Sequence, residues 1–115
     1  MRRVVNESEL VAALAERGFE TLLPGELGLA EQLRAFAEAE VVLGPHGSGL
    51  ANLCASASAK VIELQREGEF RPCYFAQSNA QGLEYWYLVC RPAGRADLRV
   101  EISEIERTLD AAGIV

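Results

Sequence analysis

Two short apolar runs on either side of a glycine-rich turn constrain the fold of this chain more than any other feature. The first run is Val41–Leu43, and the second is Val61–Leu64, which is apolar except for one carboxylate. Such runs are typical of β-strands covered by helices on both faces. Between them lie the turn Gly44–Gly49 and small residues from Leu50 to about Ser56, which predict a helix. The stretch therefore predicts two parallel strands joined through a turn and a helix.

Helical and extended patterns alternate along the rest of the chain. Helices are predicted after an Asn6 N-cap with Glu9 as capping partner, from Leu29, from Cys73 to Asn79 before a Gly82 stop, and after a Ser103 N-cap with Ile105 and Leu109 inward. Further strands are predicted at Phe19–Leu23 and Tyr85–Cys90, with a loop over Pro92–Asp97. This alternation predicts an α/β fold with a parallel sheet in three layers. A length of 115 residues favours a single domain, residues 1–115.

Charge and composition exclude several classes of protein. There are 17 acidic and 11 basic side chains, so the chain lacks the basic surface that binding to nucleic acid requires. No apolar run approaches the ~18 residues of a membrane span, and the N-terminus does not resemble a signal peptide. The three cysteines, Cys54, Cys73 and Cys90, lie in apolar or aromatic surroundings and predict buried, reduced thiols. A soluble cytoplasmic protein is therefore expected, with too few ligands for a metal site.

The glycine-rich turn is the first candidate functional feature. Gly44, Gly47 and Gly49 follow a buried strand and precede a helix, where free backbone N–H groups and the helix dipole can hold a phosphate group. Their spacing, GxxGxG, matches neither the dinucleotide fingerprint GxGxxG nor the P-loop pattern. An ordinary tight turn between a strand and a helix explains the glycines equally well, so both interpretations stay open.

His46 favours the functional interpretation of this turn. It is the only histidine and is placed between Pro45 and Gly47, where its ring could donate to a phosphate oxygen or a leaving group. Ser48 is expected to be the helix N-cap. A hydrolase with Ser48 as nucleophile is poorly supported, because GxSxG needs glycine at the positions of His46 and Leu50, and no second histidine can serve as base.

Other polar residues near the two strands allow two interpretations each. Glu63 either is solvated at the end of its strand or binds the hydroxyls of a ligand, because an unpaired buried carboxylate is costly. Arg3 either contacts a phosphate group or is simply solvated. Asn52 is expected to hold the turn in place, and the aromatic residues of Tyr85–Cys90 are expected to pack the strand.

Taken in order, these residues resemble glycosyltransferase family 61. That family includes capsular polysaccharide biosynthesis proteins, plant xylosyltransferases and protein O-linked N-acetylglucosaminyltransferases. The resemblance extends from Arg2 to about Tyr85, and Ser48 stands where the family usually has alanine. The matching residues are Arg2-Arg3 with Asn6-Glu7, Gly18-Phe19, Glu31-Gln32, His46–Asn52 and Val61–Leu64.

The resemblance implies a GT-B architecture of two Rossmann-like lobes, with the nucleotide-sugar donor held mainly by the C-terminal lobe. It implies that His46 and the Gly47–Gly49 turn, Ser48 included, face the donor diphosphate and that Arg3 is a further phosphate contact. Glu63 would lie near the nucleotide or the sugar. Inverting transfer is implied, with no metal and no cofactor beyond the donor, because cationic groups and a helix N-terminus stabilise the departing diphosphate.

The extent of the chain modifies this expectation. In the family, a strand and an acceptor lobe precede the segment that begins here at Arg2. We therefore expect a C-terminal donor-binding lobe that lacks its first strand and is a fragment of a two-lobe bacterial protein, which could be membrane-peripheral as a whole. The catalytic base and the glycan or other hydroxyl acceptor would belong to the other lobe, so the fragment alone is expected to be inactive. An exposed sheet edge predicts a homodimer. The alternative is a stand-alone nucleotide- or phosphate-binding module without catalysis.

Overall fold

The computed structural model describes residues 3–21 and 26–114, with residues 48, 49 and 51 described by their backbone alone. Helices and strands are interspersed through these residues. In chain order they are α1 (Glu7–Ala15), α2 (Leu29–Glu38), β1 (Val41–Pro45), a 3₁₀ helix (Ser48–Ala55), β2 (Lys60–Arg66), α3 (Cys73–Gln81), β3 (Glu84–Ala93), β4 (Asp97–Arg99) and α4 (Ile102–Ala111).

The strands form one sheet in the order β1-β2-β3-β4. β1, β2 and β3 are parallel, as predicted, but β4 is antiparallel to β3, so the sheet is mixed. The predicted loop over Pro92–Asp97 is confirmed only for residues 94–96, which form a turn; its two ends are strand residues, because β3 continues to Ala93 and β4 begins at Asp97. Pro92 is tolerated there because β2 ends opposite Cys90, so the last part of β3 pairs with β4 alone.

Alternation along β2 divides the core between the two faces of the sheet. Ile62 and Leu64 pack on one face against buried residues of α1 and α4, which are Leu10, Leu14, Ile105 and Leu109. Val61 packs on the other face against Phe36 of α2, Leu83, and Leu50 and Leu53 of the 3₁₀ helix. Helical elements therefore pack on both faces of the sheet, which confirms the predicted α/β class.

The predicted strand Phe19–Leu23 is wrong for its first three residues. Residues 19–21 do not form a strand, and residues 22 and 23 lie outside the described residues. Gly18 has a φ of 85°, and the Phe19 N–H donates to the Leu14 carbonyl at 3.1 Å. This is the hydrogen bond that closes the C-terminus of a helix, so Phe19 completes the end of α1 and packs on the core.

The two predicted helix caps differ from the structure in separate ways. Asn6 is the N-cap residue of α1, as predicted, but its side chain makes no cap; its Nδ2 donates to the Val100 carbonyl at 2.7 Å, and the Val100 N–H donates to its Oδ1 at 3.0 Å. The buried amide thus serves a backbone group far along the chain. Ser103 lies inside α4, which begins one residue earlier after Glu101.

The start of the helix after the glycine-rich turn also differs from the prediction. Gly47 occupies the cap position, Ser48 is the first helical residue, and the helix is of the 3₁₀ type. Asn52 meets its expectation, because its Nδ2 donates to Gln32 Oε1 of α2 at 2.7 Å. The contact ties this helix to α2.

The prediction of three buried thiols is wrong for two of them. Cys90 is buried in the core, whereas Cys54 in the 3₁₀ helix and Cys73 at the start of α3 are exposed. The apolar neighbours of Cys54 and Cys73 in sequence do not bury them, because both cysteines belong to helices, in which adjacent side chains occupy different faces. No helix within the described residues is long and apolar enough to cross a bilayer.

Candidate functional site

The turn after β1 holds His46 at the carboxyl edge of the sheet. The His46 N–H donates to the Leu64 carbonyl at 3.2 Å, so pairing with β2 continues one residue beyond the end of β1. Gly47 follows with φ 154° and ψ −174°, a conformation that is essentially restricted to glycine. The glycine at this position lets the chain leave the sheet sharply and begin the 3₁₀ helix.

The His46 ring is hydrogen-bonded to a fully buried carboxylate. Its Nδ1 lies 2.7 Å from Oε2 of Glu63, and the two side chains are 16% and 0% exposed. The strand register explains the contact, because Glu63 pairs with Gly44, the position two residues before His46 and therefore on the same face of the sheet. The interpretation of Glu63 as a solvated strand-end residue is therefore wrong.

Tyr85 engages the second oxygen of the same carboxylate. Its hydroxyl donates to Oε1 of Glu63 at 2.5 Å, from the strand on the other side of β2. Burial, and then the hydrogen bond to Glu63, raise the pKa of Tyr85, so the hydroxyl keeps its proton and remains a donor. With both oxygens bonded to protein and no exposed surface, Glu63 is arranged to orient His46.

The expectation that the aromatic residues of β3 merely pack the strand missed this contact. Tyr87 also differs from the expectation of a packed strand residue. It is 52% exposed, and its ring contacts the rings of Phe70 and Tyr85. The contact between Tyr85 and Glu63 follows from the register of β2 against β3, in which Glu63 pairs with Tyr87, and spacing along the sequence does not determine that register. Tyr85 is two residues earlier and therefore on the same face.

The first residues of α3 complete the surroundings of His46. Cys73 Sγ lies 3.9 Å from His46 Nε2, and the Tyr74 ring lies 5.3 Å from the His46 ring between centroids. The Tyr74 hydroxyl donates to the Gly47 carbonyl at 2.7 Å. Burial, with smaller effects of Cys73 and Glu63, raises the pKa of Tyr74. The N-termini of α3 and of the 3₁₀ helix thus meet at His46, and both carry the positive end of a helix dipole.

The remaining predicted site residues divide between two regions. Gly47 is in the turn, and Ser48 and Gly49 follow it along the backbone. Arg3 lies at the opposite edge of the sheet, beside β4, where its carbonyl accepts from the Leu98 N–H at 2.9 Å and its N–H donates to Asp97 at 3.2 Å. The structure brings His46, Glu63 and the turn together but does not bring Arg3 to them.

In the part of the chain that the structure describes, cavities and metal-ligand clusters do not add a second candidate site. Cavities of about 200 and 440 Å³ are lined by residues such as Arg91, Glu104 and Arg107, away from His46. Within the described ranges no group of three or more His, Cys, Asp or Glu side chains is placed to hold a metal ion. The expectation of metal-free chemistry stays a prediction.

Comparison with known families now bears on this arrangement. The family model described as Glycosyltransferase 61 matches residues 1–62. The chain belongs to glycosyltransferase family 61. The match contains His46 and the glycine-rich turn, whereas Glu63, Cys73 and Tyr85 lie beyond its end. The residues that surround the His46 ring in this family 61 chain are thus contributed by the following segment.

Two curated relatives agree with this membership. The chain is 35% identical over 88 residues to the beta-1,2-xylosyltransferase RCN11 of Oryza sativa subsp. japonica, covering 76% of this chain and 16% of that protein. It is 34% identical over 90 residues to the EGF domain-specific O-linked N-acetylglucosamine transferase of Bos taurus, covering 73% of this chain and 17% of that protein. The chain therefore spans a small part of the length of these relatives. No solved structure matches the chain.

Proposed function

We propose that this family 61 chain binds the nucleotide-sugar donor of an inverting glycosyltransferase that acts in polysaccharide or glycan biosynthesis. The observation that carries the proposal is the hydrogen bond of 2.7 Å between His46 Nδ1 and the buried Glu63 carboxylate. It fixes the ring beside a glycine-rich turn and two helix N-termini, which together provide the donors that a diphosphate requires. In this proposal the sheet is the core of a Rossmann-like lobe of GT-B type.

His46 would stabilise the departing diphosphate. With Nδ1–H donating to Glu63, a protonated ring presents Nε2–H to a phosphate oxygen, and the buried carboxylate balances the positive charge. Negative charge grows on that oxygen as the bond to the anomeric carbon breaks, so the interaction strengthens in the transition state. Backbone N–H groups after Gly47 would add neutral donors.

The other half of the reaction is assigned to a different part of a larger protein. In an inverting transfer, the acceptor hydroxyl attacks the anomeric carbon from the face opposite the diphosphate and loses its proton to a base. The chain covers 16% and 17% of the two relatives, and we place the acceptor and the base outside it. A cytoplasmic bacterial location, a homodimer through a sheet edge, and inactivity of this chain alone are further parts of the proposal.

Calorimetric titration tests the proposal directly. Uridine, guanosine and cytidine diphosphates are titrated into the native chain, and we expect one of them to bind. His46→Gln removes a charge-assisted hydrogen bond of about 1.5–3 kcal/mol, so affinity should fall at least about tenfold. Arg95→Ala, which removes an exposed cation from the turn before β4, is the matched control and should bind as the native chain does.

Two results would contradict the proposal. The first is an affinity that His46→Gln leaves unchanged, which removes the assigned role of the ring. The second is that none of the three diphosphates binds. Arg3→Ala tests the phosphate contact that the family resemblance implies for Arg3 against its position in the structure. The substitution weakens binding only if Arg3 reaches the diphosphate from the far edge of the sheet.

A further inference from the structure

The exposed thiol of Cys73 faces the same histidine, and its sulfur has no role in the proposed donor site. Its Sγ lies 3.9 Å from His46 Nε2. We propose that Cys73 is a reactive thiol that exchanges with the disulfides of small thiols, with His46 as its general base. The proposal concerns a modification site and does not require the chain to bind a nucleotide.

The hydrogen bonds of the site determine which nitrogen of His46 can act as the base. Glu63 Oε2 lies 2.7 Å from Nδ1, and its other oxygen already accepts from the Tyr85 hydroxyl. A carboxylate accepts only, so Nδ1 carries the proton and Nε2 of the neutral ring is the acceptor. Nucleophile, base and orienting carboxylate therefore form one continuous chain, the arrangement that activates cysteine nucleophiles.

The position of Cys73 in α3 keeps the sulfur in front of the base. Cys73 is the first residue of α3, at the end of the helix that meets His46. Its exposure gives a reagent access to the sulfur.

The two other cysteines provide internal references. Cys54 is also exposed, but it lies next to the C-terminal residue of the 3₁₀ helix and has no hydrogen bond to His46 among the described residues. Cys90 is buried, and burial raises its pKa to about 12. One chain thus contains an activated thiol, an exposed ordinary thiol and an inert thiol.

The proposed reaction balances without any oxidant other than the disulfide. His46 Nε2 takes the proton from the Cys73 thiol, and Sγ attacks one sulfur of the disulfide. The S–S bond of the reagent breaks, a mixed disulfide forms on Cys73, and the departing thiolate takes the proton from His46. An excess of small thiol reverses the exchange. The adduct would occupy the space in front of His46; that it would block a diphosphate there is a consequence that rests on the proposed function.

Measurement of all three thiols in one sample tests the proposal. The full native chain is incubated with glutathione disulfide without nucleotide, and modification of each cysteine is followed by peptide mass spectrometry. General-base assistance typically accelerates a reaction by about 10²–10⁴-fold, so Cys73 should react at least about ten times faster than Cys54. Cys90 should stay unmodified while the chain is folded. A Cys73 rate equal to or below that of Cys54 would overturn the proposal.

Substitution of the base gives the second arm. His46→Gln should lower the Cys73 rate to that of Cys54 and leave Cys54 itself unchanged. If Cys73 keeps its rate in a variant whose Cys90 stays protected, His46 is not the base and the proposal fails. If Cys90 of the variant reacts, the variant is no longer fully folded. The ratio of the Cys73 rate to the Cys54 rate in the native chain then decides whether the proposal stands. Failure of diphosphate binding leaves these rates untouched, so the two proposals fail independently.

Discussion

Removal of one oxygen atom tests whether the Glu63 carboxylate is held as the structure indicates. Tyr85→Phe keeps the ring, which lies 5.4 Å from Phe75 between centroids, and deletes only the hydroxyl. Oε1 of Glu63 then loses the donor that stands at 2.5 Å. The substitution therefore isolates the contribution of one hydrogen bond to a buried charge.

The expected loss follows from the burial of the acceptor. A hydrogen bond to a charged group contributes about 1.5–3 kcal/mol, and loss of a donor leaves the desolvated acceptor short of a partner. Glu63 is 0% exposed, which favours the upper part of that range, whereas Tyr85 is only half-buried and water could replace part of the bond. We expect the free energy of unfolding to fall by about 2 kcal/mol. For a chain of this size, that shifts the urea midpoint by on the order of 1 M.

Urea titration followed by circular dichroism measures this loss against a matched control. Tyr87→Phe makes the same chemical change two residues along β3, on the same face of the sheet. The Tyr87 side chain is 52% exposed, and its hydroxyl has no hydrogen-bond partner among the described residues. The control should therefore change the free energy of unfolding by no more than about 0.5 kcal/mol.

The dependence on pH gives the same prediction an independent check. The pKa of Tyr85 is raised in the folded chain, so the folded state keeps a proton that the unfolded state releases near pH 10. The contribution of the Tyr85 hydroxyl to the free energy of unfolding is fully present below about pH 10 and is lost as the pH rises further. The difference in the free energy of unfolding between the native chain and Tyr85→Phe should be constant from about pH 7 to 9 and should narrow above about pH 10. Equal losses for Tyr85→Phe and Tyr87→Phe at pH 7 would refute the reasoning.

Two further predictions concern the turn and the core. Gly47→Ala forces alanine into φ 154° and should cost about 1–3 kcal/mol by urea titration, whereas Gly44→Ala, whose Cβ would meet Leu50 at 3.7 Å, should cost less than about 1 kcal/mol. Because the pKa of Cys90 is raised to about 12, the native chain should lose stability as the pH rises above about 9. This group contributes a loss of at most about 1.4 kcal/mol per pH unit, and Cys90→Ala should lack that contribution. Similar losses of stability for Gly47→Ala and Gly44→Ala would contradict the first prediction. Equal pH slopes for the native chain and Cys90→Ala would contradict the second.

The sequence predicted the parallel core of the fold because the signals for it are local. The apolar runs became β1 and β2, and Gly82 ends α3 with a φ of 74°. The errors lie where a distant partner outweighs the local rule. Asn6 has the sequence of a helix cap, yet its amide bonds to Val100 from the other end of the chain. Phe19 has the pattern of a strand, yet it closes the helix before it.

The candidate site was predicted residue by residue but not as an arrangement. His46 and Glu63 were each singled out, and their contact depends on the β1–β2 register, which sequence spacing alone does not determine. Tyr85 needs the β2–β3 register as well. Cys73 was predicted to be buried because aromatic residues follow it, whereas its place as the first residue of α3 leaves it exposed beside His46.

The Nε2 atom of His46 connects the two proposals. A diphosphate requires this nitrogen to carry a proton and donate it, whereas the Cys73 thiol requires it to be unprotonated and to accept. Glu63 supports both states equally in geometry, because Nδ1–H donates to Oε2 at 2.7 Å whether or not Nε2 is protonated. The two proposals therefore make phosphate binding and thiol exchange mutually exclusive at one atom. No movement of a strand or helix is needed for the exclusion, since the thiol is already 3.9 Å from that nitrogen.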